Sequence, residues 1–497
     1  MNRSYFAFVV AVLLAAVAFC DTKPVPKDRG WKVVCPSVDG ELGRAVELLT
    51  AEMGPLMLRD SDFYTFRVLP VEIEGGTALR CRNRFVLGTR NASSLIRSLV
   101  KEDEVPRNGY LVRVGHAAGT NLVLIAGDRP VDVLYGVADF IEDGLPFLSD
   151  KGDGDGIMYR SQVFDGSPLR SYESRRAPRT LIRSLFTWGH VIDDYQLFFR
   201  EMARLKLNRI ILWNDFAPLN AKQVVDCAHS WGIEVFWGFA WGWDTNCRES
   251  GKADLAVLAE TILRNWRKNW KDLSGDGIYF QTFTELPDRE VAGESVATRA
   301  VRLVNSVAGR MFSEKPDMRI VFGLHAMSVR NDLDAVAMTD QRLQILWEDC
   351  GGFPYHWGFE TSPSADEGFV DEIMRKTHNA SFALKCQLLQ DWKHWEHQAG
   401  PFMLGCAGNA ALSHDRRIAS ALLEPYNARW IVEGGRAYRL IRRVQSDEKA
   451  PTELNTVTEY NPPFEFQTTM LAELMWSADE DYAVIRDRVL RRSKNKN

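Results

Sequence analysis

Beyond residue 20, the chain has no apolar run long enough to cross a membrane. It also has no Gly-rich phosphate loop and no serine nucleophile elbow, which removes the usual marks of phosphoryl transfer and of serine hydrolysis. No strong excess of one charge is present either. A formal net charge of -5 over 497 residues gives no electrostatic reason to expect a nucleic acid or an anionic membrane as partner. Eight cysteines occur without any CxxC spacing. Setting Cys20 aside, the remaining seven (Cys35, Cys81, Cys227, Cys247, Cys350, Cys386 and Cys406) cannot all pair, and several lie in apolar runs, so buried thiols are expected rather than a zinc site. His394-Trp395-Glu396-His397 comes nearest to a ligand cluster and reads as a polar loop. Neither a metal nor a cofactor is expected.

What remains is an ordinary globular composition, 45% hydrophobic and 26% charged, with enough length for two or three domains. Tryptophan is the anomaly. Many of its 15 copies fall between Trp188 and Trp395, and flat aromatic faces suit both core packing and stacking on sugar rings. Residues 1–20 have the form of a secretory signal: Arg3, an apolar core at Tyr5–Val17, and small residues at Ala16-Val17-Ala18. Export is therefore expected. Cys20 offers a competing site for a lipid anchor, although Phe19 before it is larger than lipoprotein processing usually accepts.

From Trp31 to Pro146 strand and helix patterns alternate. Strands are expected at Trp31–Pro36, Phe66–Ile73 and Arg84–Gly88, a hairpin at Gly109–Gly115 and Asn121–Gly127, and helices at Leu42–Met53, from Asn91 to Glu102 and at Asp132–Asp143. This is a small α/β domain (residues 31–146), followed by a Gly-, Asp-, Ser- and Arg-rich linker (147–179) with room for one strand. From Thr180 the rhythm changes. Eight strand signals alternate with helices: Leu181–Thr187, Arg209–Trp213, Ile233–Phe239, Ile278–Phe283, Arg319–Leu324, Leu343–Trp347, Phe382–Leu389 and Phe402–Cys406. The fold class is α/β, a (β/α)₈ barrel over 180–444 with a helical tail over 445–497.

In such a barrel chemistry sits at the C-terminal ends of the strands. The fourth strand opens on Gly275-Asp276-Gly277 and ends in Gln281-Thr282-Phe283-Thr284-Glu285 before Pro287, so Glu285 is a candidate proton donor. The other ends carry Trp188 and His190, then Trp213, Asn214 and Asp215, then Trp241, Trp243 and Asp244. His325 follows the fifth strand, Trp347, Glu348 and Asp349 the sixth, and Asp391 and Trp392 the seventh. One such coincidence would be surface solvation, but nearly every end bearing a tryptophan, histidine or carboxylate points to a site. Glu285, Glu348, Asp349 and Asp391 are the candidate catalytic carboxylates. Gln281, His325 and the tryptophans with their polar neighbours are candidate sugar contacts. Carboxylates among aromatics suit glycosidic-bond cleavage, in which one carboxylic acid protonates the leaving oxygen and a second carboxylate attacks the sugar or activates water.

The text Gly109-Tyr110-Leu111-Val112-Arg113-Val114, then Leu124-Ile125-Ala126-Gly127-Asp128, then Leu134-Tyr135-Gly136-Val137-Ala138-Asp139-Phe140 resembles the small α/β domain that precedes the barrel in family 20 β-hexosaminidases and family 67 α-glucuronidases. The barrel is similar in arrangement, but its motifs match neither family cleanly. Thr284 stands where the hexosaminidases carry the Asp that assists the substrate's acetamido group. The α-glucuronidase pattern, a Glu acid after strand four and base carboxylates after strands six and seven, implies Glu285, Glu348 or Asp349, and Asp391. The resemblance implies an exported glycoside hydrolase of a divergent family acting on a complex glycan, with inversion expected because no clear nucleophilic Glu follows strand seven. The alternatives are a non-catalytic carbohydrate-binding protein that keeps the tryptophans, and a barrel lyase or isomerase.

Overall fold

A computed structural model describes residues 31–54, 69–75, 83–149, 164–188, 192–242, 247–348, 363–384, 402–405 and 430–494, apart from single positions and short gaps within those spans. These residues fall into two compact units. One runs to Pro178 and takes in Ser230–Gly232, and the other comprises Arg179–His229 and the chain from Ile233 onward.

The first unit is built on a six-stranded sheet. Its strands are β1 (Trp31–Cys35), β2 (Val71–Ile73), β3 (Asn83–Thr89), β4 (Tyr110–Ala117), β5 (Thr120–Gly127) and β6 (Tyr172–Arg176), in the order β2-β1-β3-β5-β4-β6. β2, β1, β3 and β5 run parallel, while β4 is antiparallel to both neighbours, so the expected hairpin is β4–β5. β6 comes from the stretch read as a linker. The helices Gly40–Met53 and Pro130–Asp139 pack together. A methyl on Gly136 would stand 2.7 Å from the Ile125 Cγ2 atom, so the lack of a side chain lets the second helix lie close on the sheet.

The second unit is a closed barrel of eight parallel strands: β7 (Ile182–Trp188), β8 (Arg209–Trp213), β9 (Glu234–Ala240), β10 (Gly277–Gln281), β13 (Ile320–His325), β14 (Gln344–Glu348), β15 (Ala380–Leu384) and β16 (Glu453–Thr458). The short strands β11 (Glu290–Val291) and β12 (Glu294–Ser295) form a separate two-stranded ribbon. Side-chain caps start the surrounding helices. Asp194 accepts hydrogen bonds from the Gln196 and Leu197 amides, Asp254 from those of Ala256 and Val257, and Ser295 from that of Thr298. The longest of them, Val296–Glu314, buries an apolar stripe that includes Ala300, Val304, Val307 and Met311.

The eighth strand corrects the sequence reading. Of Phe402–Cys406, expected as a strand, the described residues Phe402–Gly405 are irregular and end in a turn with Gly405 at φ +71°. The barrel closes instead through β16, beyond Val444, between β15 and β7. The reason is physical. Glu453 and Asn455 point into the barrel, so β16 carries polar residues where a buried strand normally shows apolar ones. The tail is helical only after it, at Phe466–Trp476 and Tyr482–Lys494. The sixth-strand approach also differs from an ordinary βα repeat, since the helix between β13 and β14 is the single turn Leu333–Val336.

Two inner layers can be distinguished. At the strand starts, Arg209 pairs with Glu234 and Glu453, and Arg319 pairs with Glu234, so ionic contacts fill the lower end. Burial works to raise the Glu234 carboxyl, but Arg319 and Arg209 outweigh it and hold it below the usual carboxylate range. Above them Phe186, Ile211, Trp213, Phe236, Tyr279, Val321, Leu346, Ala383 and Val457 form the apolar core. Burying each of the larger side chains is worth about 1.5–3 kcal/mol.

Candidate active site

The strand ends above that core set the site. β10 begins in the Gly275-Asp276-Gly277 turn, where Gly275 takes φ +153° and the Asp276 carboxylate accepts from the Val235 amide at 2.7 Å. That pins the start of β10 to β9. Alternation then sends Tyr279 and Gln281 inward and Phe280 outward. On β14 the same alternation sends Leu346 and Glu348 inward and Trp347 outward.

Glu348 is the last residue of β14 and only 2% exposed. Its Oε1 accepts hydrogen bonds from the Tyr279 hydroxyl and from Gln281 Nε2, both on β10. Gln281 Nε2 also lies 2.8 Å from the Tyr279 oxygen, so the three groups form one connected cluster. Between β10 and β14 runs β13, on which Gly323 is register partner of Gln281, and His325 of Glu348. The Tyr279 ring is braced edge-on by Phe186 at 5.0 Å and by Trp213 at 5.8 Å. The Gln281 side-chain amide oxygen, Oε1, is buried and meets no donor among the described residues. A buried amide of this kind is suited to accept from a hydroxyl arriving at the mouth.

Several expected residues are placed clearly. Trp213 ends β8 but is 2% exposed and serves as support for Tyr279 rather than as a sugar platform. Asn214 is buried, and its Oδ1 accepts from the Phe216 amide at 3.0 Å, which turns the chain after β8. Two tryptophans are corrected. Trp241 is fully buried and stacks on Phe280 (3.6 Å, 9°), which stacks in turn on Phe322 (5.0 Å, 8°). It lies behind the barrel wall, and Trp347, also fully buried, is on the outward face of β14. Neither faces the mouth, because each sits one residue out of phase with the inward positions.

Glu285 closes the 3₁₀ turn Phe283–Glu285 directly after β10, tightened by the Thr284 amide on the Thr282 carbonyl at 2.8 Å. Its backbone is thus at the C-terminal mouth, while its side chain, like that of Trp188, lies outside the described residues. So do His190, Asp215, Trp243, Asp244, Asp349, Asp391, Trp392 and the His394–His397 stretch. Tyr279, which was not among the expected site residues, donates its hydroxyl to Glu348. Only its spacing of two from Gln281 signalled that it shares the inner face.

Among the described residues, no group of three or more His, Cys, Asp or Glu side chains is arranged to hold a metal ion, and no helix is long and apolar enough to cross a membrane.

No family model and no curated protein matches the chain. Solved structures do. The likeness is one of fold. A family GH115 4-O-methyl-α-glucuronidase with specificity for decorated arabinogalactans superposes with a TM-score of 0.51 at 12% identity, over 94% of this chain and 60% of its own. A structure of CpGH84B superposes with a TM-score of 0.52 at 11% identity, over 93% of this chain and 70% of that one. The chain thus spans less than two thirds of the glucuronidase. At these identities the likeness is one of fold, extending over nearly the whole of this chain.

Proposed function

We propose that the chain is a glycoside hydrolase that cleaves O-glycosidic bonds in a complex glycan through carboxylate chemistry. The observation that carries this reading is Glu348: a buried carboxylate at the C-terminal end of a barrel strand, oriented by two donors from β10. Oriented acceptor groups at that end of a (β/α)₈ barrel are what a base or nucleophile requires. Glu285, in the turn after β10, is its proposed partner as general acid. Asp349 and Asp391 are further candidates, and His325 and Gln281 are proposed to contact the sugar. The fold shared with solved glycoside hydrolases supports the reaction class.

The test is a hydrolysis screen over aryl glycosides and plant and animal glycans, with the anomer of the first product followed by NMR. Release of a free sugar with inverted configuration is expected. Binding of glycans without any release would favour a carbohydrate-binding protein. Glu285→Gln is expected to lower turnover on poor leaving groups by about 10²–10⁴-fold and to spare aryl glycosides, since a good leaving group needs little protonation. Equal turnover of a poor-leaving-group substrate by Glu285→Gln would move the acid role elsewhere.

We also propose export, on the signal-like residues 1–20, with Cys20 as a competing lipid-attachment site. Mass spectrometry of the natively made protein is expected to find the chain starting between Phe19 and Asp21. An intact Met1 would refute this.

A further inference from the structure

We propose that Gly323, which has no side chain, is a positioning residue for Glu348, and that it acts by leaving open the path of the Tyr279 hydroxyl. The inference rests on the glycosidase reading above.

Tyr279 is on β10 and Glu348 on β14, with β13 between them. Adjacent strands stand about 4.8 Å apart, so the phenol must cross the inner face of a whole strand to reach the carboxylate. It crosses over Gly323. A methyl group built on Gly323 would stand 2.5 Å from Tyr279 Cζ and 2.7 Å from Cε2, and closer still to the hydroxyl oxygen. Carbon atoms do not approach so closely, so any other residue here must displace the phenol. Backbone conformation does not demand glycine at this position, because Gly323 lies within β13 and has no positive φ. The demand comes from the ring alone.

On the neighbouring strand positions the inner face is filled: Val321 below, and Leu346 beside it on β14. Gly323 is therefore a local opening in an otherwise packed layer, occupied by a tyrosine from the next strand. Phe186 and Trp213 hold the ring from the other side, which leaves the hydroxyl little choice of direction. The resulting bond and the one from Gln281 Nε2 converge on a single oxygen and fix the rotation of the Glu348 carboxylate. Misplacing a reacting group by about 1 Å can cost about 10²-fold in rate.

The experiment compares Gly323→Ala, Tyr279→Phe and their double variant with the wild type, on the aryl glycoside that the wild type hydrolyses fastest. Tyr279→Phe keeps the braced ring and removes only the hydroxyl. Each single variant is expected to lower kcat by about 10–100-fold, the range of a lost hydrogen bond to a charged group, with KM nearly unchanged. Both should displace the same limb of the pH–kcat/KM profile. Because both act through one hydroxyl, the double variant should be no slower than the worse single variant. Circular dichroism and thermal melting establish that each variant is folded, and the Tyr279→Phe result stands if Gly323→Ala does not fold. Wild-type kcat and pH profile in folded Gly323→Ala, or losses that multiply in the double variant, would overturn the assignment while leaving the glycosidase reading intact. A wild type that hydrolyses no glycoside would overturn both.

Discussion

Arg209 at the start of β8 and Glu453 at the start of β16 meet as a fully buried ion pair on the barrel axis side of the sheet. Arg209 also donates from Nη2 to Glu234 at 2.6 Å, and Glu453 accepts from Gln344 Nε2 at 2.7 Å, so strands from opposite parts of the chain are tied at their lower ends. Removing one partner of such a pair leaves an uncompensated buried charge. Glu453→Ala is expected to lower stability by about 3–5 kcal/mol in denaturant unfolding, whereas exposed pairs are worth about 1 kcal/mol or less. A loss below about 0.5 kcal/mol would mean that β16 does not close the barrel as described.

The Asp276–His229 contact predicts a pH dependence. Burial works to raise the Asp276 carboxyl, but hydrogen bonds from His229 and the Val235 amide prevail and hold it below its ordinary range. The same hydrogen bond, first among its causes, raises His229. A lowered acid adds stability above its unfolded pKa, about 3.9, which is lost as pH falls through the folded value. A raised histidine adds stability that is full below about 6.5 and is lost as pH rises through its folded value. The melting-temperature difference between wild type and Asp276→Asn is therefore expected to be largest between about pH 4 and 6.5. A difference that grows steadily towards pH 9 would contradict the assignment.

Trp241 is expected to matter for stability and not for sugar binding. Trp241→Ala should cost about 3–5 kcal/mol, as large-to-small changes in a core do. Trp241→Phe, which preserves an aromatic face for Phe280, should leave glycan affinity within twofold by calorimetry. A tenfold loss of affinity in folded Trp241→Phe would put this ring at the mouth after all.

Much of the barrel is legible in the amino-acid sequence, because seven of its strands are short, mostly apolar runs, several of them followed by amphipathic helices. β16 is not legible in the same way. Its inward residues are Glu453, Asn455 and Val457; Glu453 is tolerated inside because Arg209 and Gln344 donate to it, and Asn455 because its Nδ2 donates to Glu453. That pairing is invisible until the strands are arranged. The turn before β10 was readable from Gly275-Asp276-Gly277, and the position of Glu348 at a strand end was readable too. The face that each aromatic occupies was harder. A shift of one residue separates Trp347 in the wall from Glu348 in the mouth, and Trp241 from the inward Ala240. Tyr279 reads as core text, and only Gly323 two positions before His325 records that something from a neighbouring strand must pass there.

The most direct test of the account is the turnover of Glu348→Gln. The amide keeps the size of the side chain and can still accept from Tyr279, but it cannot act as a base or nucleophile. On the aryl glycoside that the wild type hydrolyses fastest, kcat is expected to fall at least about 10²–10⁴-fold, while calorimetric affinity for the same sugar stays within about tenfold. Turnover within threefold of wild type in a folded Glu348→Gln protein would contradict the central claim that the reaction runs at the carboxylate held by Tyr279 and Gln281.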